Sequence, residues 1–229
     1  MSVSNLKVAV IGANGKVGRF LLTQLKNDTK HFSTPLAVVR SKEQQNFFKN
    51  EFGINASLTS IEHSSVKELA AALKGYDAVV FTAGAGGKGL ERIFTVDLDG
   101  CVKTVEACEQ LGIKRLIVVS AIKAEDRSFW WNMEGLRDYY IAKRAADHDV
   151  RNSKLDYTIL QPGFLQEGKG TGLVQPLDRI EEKKDSYKIE REDVASAIVQ
   201  CLLHPETTSR KTIELANGDQ PIETFIKSL

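Results

Sequence analysis

Long apolar runs are missing from this chain. No stretch approaches the ~18 to 20 residues of a bilayer-spanning helix, so no membrane partner is expected. The first residues, MSVSNLKVAVIGANG, hold no basic segment followed by a longer apolar stretch and a cleavage site. They read as a first strand, and a cytoplasmic location is expected. The final Lys227-Ser228-Leu229 transposes the peroxisomal Ser-Lys-Leu signal and does not match it. An excess of either charge is also missing: 31 basic residues face 30 acidic ones. That leaves no global field to hold a nucleic acid, and a small molecule is the expected partner of a monomer or homodimer. Cysteine is scarce. Cys101, Cys108 and Cys201 form no CxxC pair and are odd in number, which excludes a disulfide framework and a zinc knuckle and predicts buried thiols. The four histidines are scattered without ligand-type spacing, so no metal is expected. The sequons at Asn27 and Asn55 are read as chance, since a sequon acts only on a secreted chain.

Short β-branched runs alternate with segments of helical period, the signature of βαβ units feeding a parallel sheet. Strands are predicted at residues 7–11, 36–40, 56–61, 78–82, 115–120, 157–161 and 212–215. Helices are predicted at 17–26, 42–50, 66–73, 97–111, 135–151 and 191–203. In the fourth, Val102, Val105, Cys108 and Leu111 recur every three residues and predict a stripe against the sheet. With 42% apolar and 27% charged residues, no internal repeat and no linker, residues 1–229 read as one α/β domain with a doubly wound parallel sheet. Residues 121–134 and 163–188 interrupt the rhythm after predicted strands. They read as the substrate-side loops, because ligands of open α/β sheets bind at that edge.

The run Gly12-Ala13-Asn14-Gly15-Lys16-Val17-Gly18 turns a strand into a helix with glycine every third residue. Glycine lets backbone N–H groups approach a pyrophosphate, and the helix N-terminus favours its charge. The spacing is GxxGxxG and not the better known GxGxxG, but its place between the first strand and first helix is the context such a motif requires. Gly12, Asn14, Gly15, Lys16, Val17 and Gly18 are therefore candidate cofactor contacts. A site selective for NAD would end its second strand in an acid, whereas this chain has Arg40-Ser41-Lys42. A guanidinium and a hydroxyl suit a 2′-phosphate, so NADP is expected before NAD, with Arg40 and Ser41 as its readers. Ala83 and Gly84, after the fourth strand, are small enough to pass beneath the cofactor. Tyr139 and Lys143 stand four apart on one helical face, where an ammonium would pull the phenol's pKa down toward working pH.

Taken together, GANGKVG, VVFTAGAGG, YYIAK, DYTILQPG and IEREDVA occur in the order seen in the short-chain dehydrogenase/reductase superfamily. The chain resembles its atypical NAD(P)-binding branch along essentially its whole length, with more distant similarity to biliverdin-IXβ/flavin reductase and NmrA-like proteins. The resemblance implies a sheet ordered 3-2-1-4-5-6-7 and a cofactor across its C-terminal edge. It makes Tyr139 and Lys143 the catalytic pair, with Lys143 also on the cofactor, and puts Pro162 in the turn beside the nicotinamide. The family's serine follows the fifth strand. Ser120 is its counterpart for catalysis and cofactor contact, set a residue or two early. The implied function is an NADPH-dependent reductase of a small carbonyl, quinone-like or flavin-like acceptor, with Trp130 and Trp131 as walls of the acceptor site or as packing. The displaced serine keeps open a non-catalytic NADP(H) sensor. A nucleotide-sugar epimerase or dehydratase is disfavoured by the short C-terminal region.

Overall fold

Three four-residue runs, VAVI, LAVV and AVVF, are buried at every position and lie side by side in the middle of a sheet. Strands covered on both faces have no need of alternating polarity, which is why they appear in the sequence as continuous apolar runs. The computed structural model describes residues 5–176, 179 and 187–229. Its strands are β1 (Val8–Ile11), β2 (Leu36–Val39), β3 (Asn55–Leu58), β4 (Ala78–Phe81), β5 (Arg115–Val119) and β6 (Asp156–Pro162). They continue with β7 (Phe164–Gln166), β8 (Leu173–Gln175), β9 (Lys188–Glu190), β10 (Lys211–Asn217) and β11 (Gln220–Pro221). The main sheet runs β11-β8-β10-β6-β5-β4-β1-β2-β3. Its seven strands from β3 to β10 are parallel and follow the expected order.

The sheet departs from an all-parallel one at its edge. There β8 pairs antiparallel with β10 and β11, while β7 and β9 form a separate two-stranded ribbon. These strands are two or three residues long, too short to carry a periodic signal, and the stretch 163–188 read as loop contains β7, β8 and the first residue of β9. Part of that stretch, residues 177–178 and 180–186, lies outside the described residues.

Helices α1 (Lys16–Asn27), α2 (Lys42–Asn46), α3 (Val66–Leu73), α4 (Leu90–Arg92), α5 (Asp99–Leu111) and α6 (Arg127–Trp130) alternate with the strands. They are followed by α7 (Arg137–Asn152), α8 (Arg191–Leu203), α9 (Pro205–Thr208) and α10 (Ile222–Lys227). Val8 and Val10 point to one face, where Leu21, Leu25, Ile198, Leu202 and Phe225 from α1, α8 and α10 cover them. Ala9 and Ile11 point to the other, under Leu69, Val105, Cys108 and Val150 from α3, α5 and α7. The period of two along β1 thus divides the molecule into two cores.

The predicted helix at 42–50 is α2 followed by a π-helical turn at Phe47–Glu51, and α5 is preceded by another at Ile93–Leu98. In α5 the buried face is Cys101, Thr104, Val105 and Cys108; Val102 and Leu111 are only half-buried. A strict spacing of three drifts around a 3.6-residue helix, so the ends of the predicted stripe turn away from the sheet. All three cysteines are buried and unpaired, and burial pushes each thiol up to about 12. Among the described residues, no helix is long and apolar enough to cross a membrane. The acids Glu192 and Asp193 lie in the first turn of α8, and they also staple a loop. Asp193 accepts from the N–H groups of Thr171 and Gly172, each at 2.8 Å, and Glu192 from that of Gly170 at 2.8 Å.

The two tryptophans separate cleanly. Trp130 has no exposed surface, stacks on Tyr140 with centroids 5.7 Å apart, and donates its Nε1–H to the Ala124 carbonyl at 3.0 Å. Trp131 is exposed. Trp130 is therefore packing and does not wall an acceptor. Trp130→Ala should cost about 3 to 5 kcal/mol in denaturant unfolding, while Trp131→Ala should stay within about 0.5 kcal/mol of the native chain.

Candidate active site

The chain leaves β1 at Gly12 with φ +82°, a left-handed conformation that glycine adopts without strain. A Cβ there would lie 2.5 Å from the backbone nitrogen of Ala83. The turns after β1 and β4 therefore touch backbone to backbone, and Ala83 and Gly84 run directly beside the glycine loop. Gly15 caps α1 with an extended backbone and donates its N–H to the Gly12 carbonyl at 2.8 Å. Among the described residues, no side chain caps α1 and its first turn has no acid. Its leading N–H groups and the positive end of its dipole remain for an anion.

The other loop residues divide by role. Asn14 Oδ1 accepts from Arg19 Nη2 at 2.6 Å, and the Arg19 guanidinium lies 4.5 Å from the Phe47 ring centroid, so Asn14 ties the turn to its own helix. The Val17 side chain is in the core, which leaves its backbone as the group that meets a ligand. Lys16 pairs with Glu167, whose carboxylate also lies 3.1 Å from Arg191 Nη1.

Beyond the loop opens a cleft of about 220 Å³, lined among others by Gly12, Asn14, Gly15, Arg40, Thr59, Ile61, Ala83, Gly84, Lys88 and Arg92. Arg40 is on its lining. Ser41 turns its hydroxyl onto its own helix, where Oγ accepts from the Gln44 N–H at 3.3 Å as the cap of α2. Lys42 donates to Gln45 Oε1 at 2.9 Å. Arg92, Lys88 and the acid Glu62 were not legible as a group in the sequence, because Glu62 comes from the connection after β3 and the other two from the connection after β4.

On the far side of β4, α7 carries Tyr139, Lys143 and Asp147 at successive spacings of four, a stripe turned toward the ends of β5 and β6. Lys143 is buried; its Nζ donates to the Val119 carbonyl at 2.9 Å and lies 3.9 Å from Asp97 Oδ1. Asp97, equally buried, accepts the N–H of Ala85 through Oδ2 at 2.8 Å. One carboxylate thus joins the lysine to the loop that lines the cleft. Ser120 donates its hydroxyl to Asp147 Oδ2 at 2.6 Å, and Gln161 Nε2 donates to the same oxygen at 3.0 Å. The serine is present but committed to a buried acid. Pro162, at the end of β6, accepts the Ile122 N–H at 3.0 Å and holds the turn that follows β5.

Burial is the largest influence on each ionisable group in this array. It raises both Asp97 and Asp147 above the ordinary carboxylate value, although Lys143 pulls each one down. For Lys143, burial works against the charge, yet Tyr139, Asp97 and Asp147 outweigh it and hold the ammonium above its usual value. Tyr139 goes the opposite way from the sequence expectation. Burial raises it, Asp97 and Asp147 add to the rise, and the opposing pull of Lys143 is smaller. Tyr139 remains a neutral phenol at working pH, which suits a proton donor and not a base. Asp97 and Asp147 were missed in the sequence. Asp97 sits in the apolar run Ile93-Phe94-Thr95-Val96, but Asp147 repeats the Tyr139–Lys143 spacing and was available as a signal.

Residues 12–205 match the model of a family described as NAD(P)H-binding. UPF0659 protein YMR090W of Saccharomyces cerevisiae is 67% identical over 229 residues, covering 99% of this chain and all of its own length. An NAD-dependent epimerase/dehydratase candidate from Bacillus halodurans superposes with a TM-score of 0.87 at 37% identity, covering 98% of this chain and 100% of that one. The oxidoreductase ylbE from Lactococcus lactis gives 0.84 at 32%, covering 98% and 96%.

A carboxyl whose folded pKa is raised above its unfolded value costs stability once the pH exceeds the unfolded value, and returns it as the pH falls through the folded one. With an ordinary value of 3.8 for aspartate, the Tm of Asp147→Asn relative to the native chain should rise from pH 4 toward pH 7. A difference that stays constant over that range in calorimetry would contradict a raised Asp147.

Proposed function

The chain belongs to the NAD(P)H-binding Rossmann-fold family, related to short-chain dehydrogenase and epimerase-like oxidoreductases, and from that premise we propose an NADPH-dependent reductase of a small carbonyl, quinone-like or flavin-like acceptor. The observation that carries the reading is the Asp97 bridge. It joins Lys143, and through it Tyr139, to the N–H of Ala85 in the loop that lines the cleft. A proton donor and a dinucleotide seat are thereby set at one sheet edge.

The residues fit the cofactor. Gly12 and Gly15 let backbone approach a pyrophosphate, the uncapped start of α1 supplies N–H donors, and Arg40 offers a cation to the adenosine side. When bound, the cofactor supplies a hydride. The chain's own part is the proton: the neutral Tyr139 hydroxyl donates it to the oxygen that gains negative charge, and the ammonium of Lys143 stabilises the phenolate left behind. Asp97 and Asp147 keep that ammonium charged, and Ser120, bound to Asp147, acts on the acceptor only indirectly.

The Bacillus halodurans relative's name keeps an epimerase or dehydratase in view. Against it, the chain between β6 and α8 is too short for a separate substrate domain. The commitment of Ser120 to Asp147 favours the second reading, an NADP(H) sensor without turnover. NADPH oxidation, followed by absorbance against a panel of aldehydes, ketones, quinones and flavins, tests the proposal. Turnover should appear and fall by about 100-fold or more in Tyr139→Phe, with the KM for NADPH little changed. Tight NADPH binding without oxidation by any acceptor would favour the sensor.

A further inference from the structure

Ser120 Oγ and Asp147 Oδ2 lie 2.6 Å apart, and both residues are buried. That distance fits an O–H···O hydrogen bond in either direction, and the state of the carboxyl decides which. An ionised Asp147 only accepts, so Ser120 spends its one proton on it and acts on an acceptor only indirectly. A neutral Asp147 has a proton of its own to give to Ser120 Oγ, which leaves the serine O–H for another oxygen. The surroundings favour the neutral form. Oδ1 of Asp147 is buried and has no hydrogen-bond partner among the described residues. An unpaired oxygen costs far less on a neutral carboxyl than on a carboxylate, whose charge is spread over both oxygens. The ammonium of Lys143 is already paired with Asp97, 3.9 Å away, while the hydrogen-bond partners of Asp147 are a hydroxyl and an amide, neither of them charged. Gln161 Nε2 also donates to Glu125 Oε2 at 2.8 Å. A second acid, itself paired with Arg151, thus shares the same amide, and its like charge opposes the ionisation of Asp147.

We infer that Asp147 is a positioning residue that sets the direction of the Ser120 hydrogen bond: neutral, it frees the serine O–H for the oxygen of the acceptor; ionised, it withdraws it. The inference rests on the reductase reading and gives Ser120 a direct part in one protonation state of its partner. Tyr139 still supplies the proton. Ser120 supplies a hydrogen bond to the oxygen as negative charge builds on it and transfers no proton of its own. A protonated Oδ2 donates to Ser120 and keeps lone pairs for the Gln161 amide, so the switch breaks neither contact. Lys143 and Tyr139, on the same helix as Asp147, are held above their usual values, and burial pushes Cys101 of α5 up to about 12. None of the three changes charge where a carboxyl titrates. Asp97 and Glu125 are the other acids of the array, and neither hydrogen-bonds the serine hydroxyl.

Carbon NMR of the full chain labelled at the aspartate carboxyl carbon, with Asp147→Asn to identify the resonance, reads the protonation state directly. Asp147 should be neutral at about pH 6, where an ordinary aspartate is ionised. A carboxylate there overturns the inference and leaves the reductase reading standing. NADPH oxidation, with an acceptor that turns over, reads the serine. The native kcat should fall as the pH rises through the Asp147 titration, while Ser120→Ala should lie about 100-fold or more below the native chain at about pH 6 and lose that fall. Asp147→Asn should match Ser120→Ala at every pH, because Gln161 Nε2, held by Glu125, keeps an amide oxygen against Ser120 and the serine remains its donor. A fall that persists in Ser120→Ala belongs to Asp97 or Glu125 and overturns the inference. If Asp147→Asn fails to fold, as judged by its melting curve, the resonance is identified by its shift in Ser120→Ala and the same comparison decides. An absence of turnover with every acceptor overturns the reductase reading. The labelled carboxyl then decides the switch alone: a neutral Asp147 supports it and an ionised one overturns it.

Discussion

The close approach of Gly12 to Ala83 governs the placement of everything that follows. β1 has β4 on one side and β2 on the other, so the chain's progress across the sheet reverses at β1 and a crevice opens between the two turns above it. The turns can share that crevice only if their backbones meet without side chains between them, which is what the left-handed Gly12 permits. The contact sets α1 at one wall, with its first N–H groups free, and the Ala83–Gly86 loop at the other. A Cβ at Gly18 would meet the Gly12 carbonyl at 2.6 Å, so the helix is seated on the same turn.

From this crevice a second constraint spreads through the buried ionic array. Placing an ammonium and two carboxylates inside a protein is expensive unless each is paired and hydrogen-bonded. Lys143 meets that demand with the Val119 carbonyl and Asp97; Asp147 meets it at Oδ2, which accepts from Ser120 and Gln161, while its Oδ1 is buried without a hydrogen bond among the described residues. Burial keeps Tyr139 in its protonated form, and the two aspartates oppose the pull of the Lys143 ammonium on it. The array also ties α7 to the cofactor loop through Asp97, which lies in the π-helical turn before α5. A widened turn of this kind often marks a functional position, and here it carries the acid that bridges the two halves of the site.

The parts of this arrangement that were legible in the sequence are those written locally. Of the seven parallel strands, those at the centre of the sheet are runs rich in valine, isoleucine and leucine, and the glycine loop is a covalent spacing that needs no tertiary partner to be recognised. The ribbon of β7 and β9 and the antiparallel edge of β8 and β11 were not legible, because two or three residues set no period. The Tyr139 pKa was misjudged for a physical reason: the spacing to Lys143 is local, but the burial and the two aspartates that outweigh it are not. Trp130 and Trp131 are neighbours in the chain and differ only in which side of α6 meets the core. Glu62 and Arg92 lie in separate connections and become a unit only when the sheet is folded.

On the proposed reading the turn after β1 receives a phosphate, and the fold itself does not require the middle glycine of that turn. Gly15 has an extended backbone, and a Cβ there would meet only the Gly12 carbonyl, at 3.1 Å. Titration of NADPH into Gly15→Val, alongside its melting curve, tests this most directly. Tm should stay within a few degrees of the native chain while NADPH binding falls by about 100-fold or more, since the side chain fills the phosphate seat. Native NADPH affinity in the folded variant would contradict it.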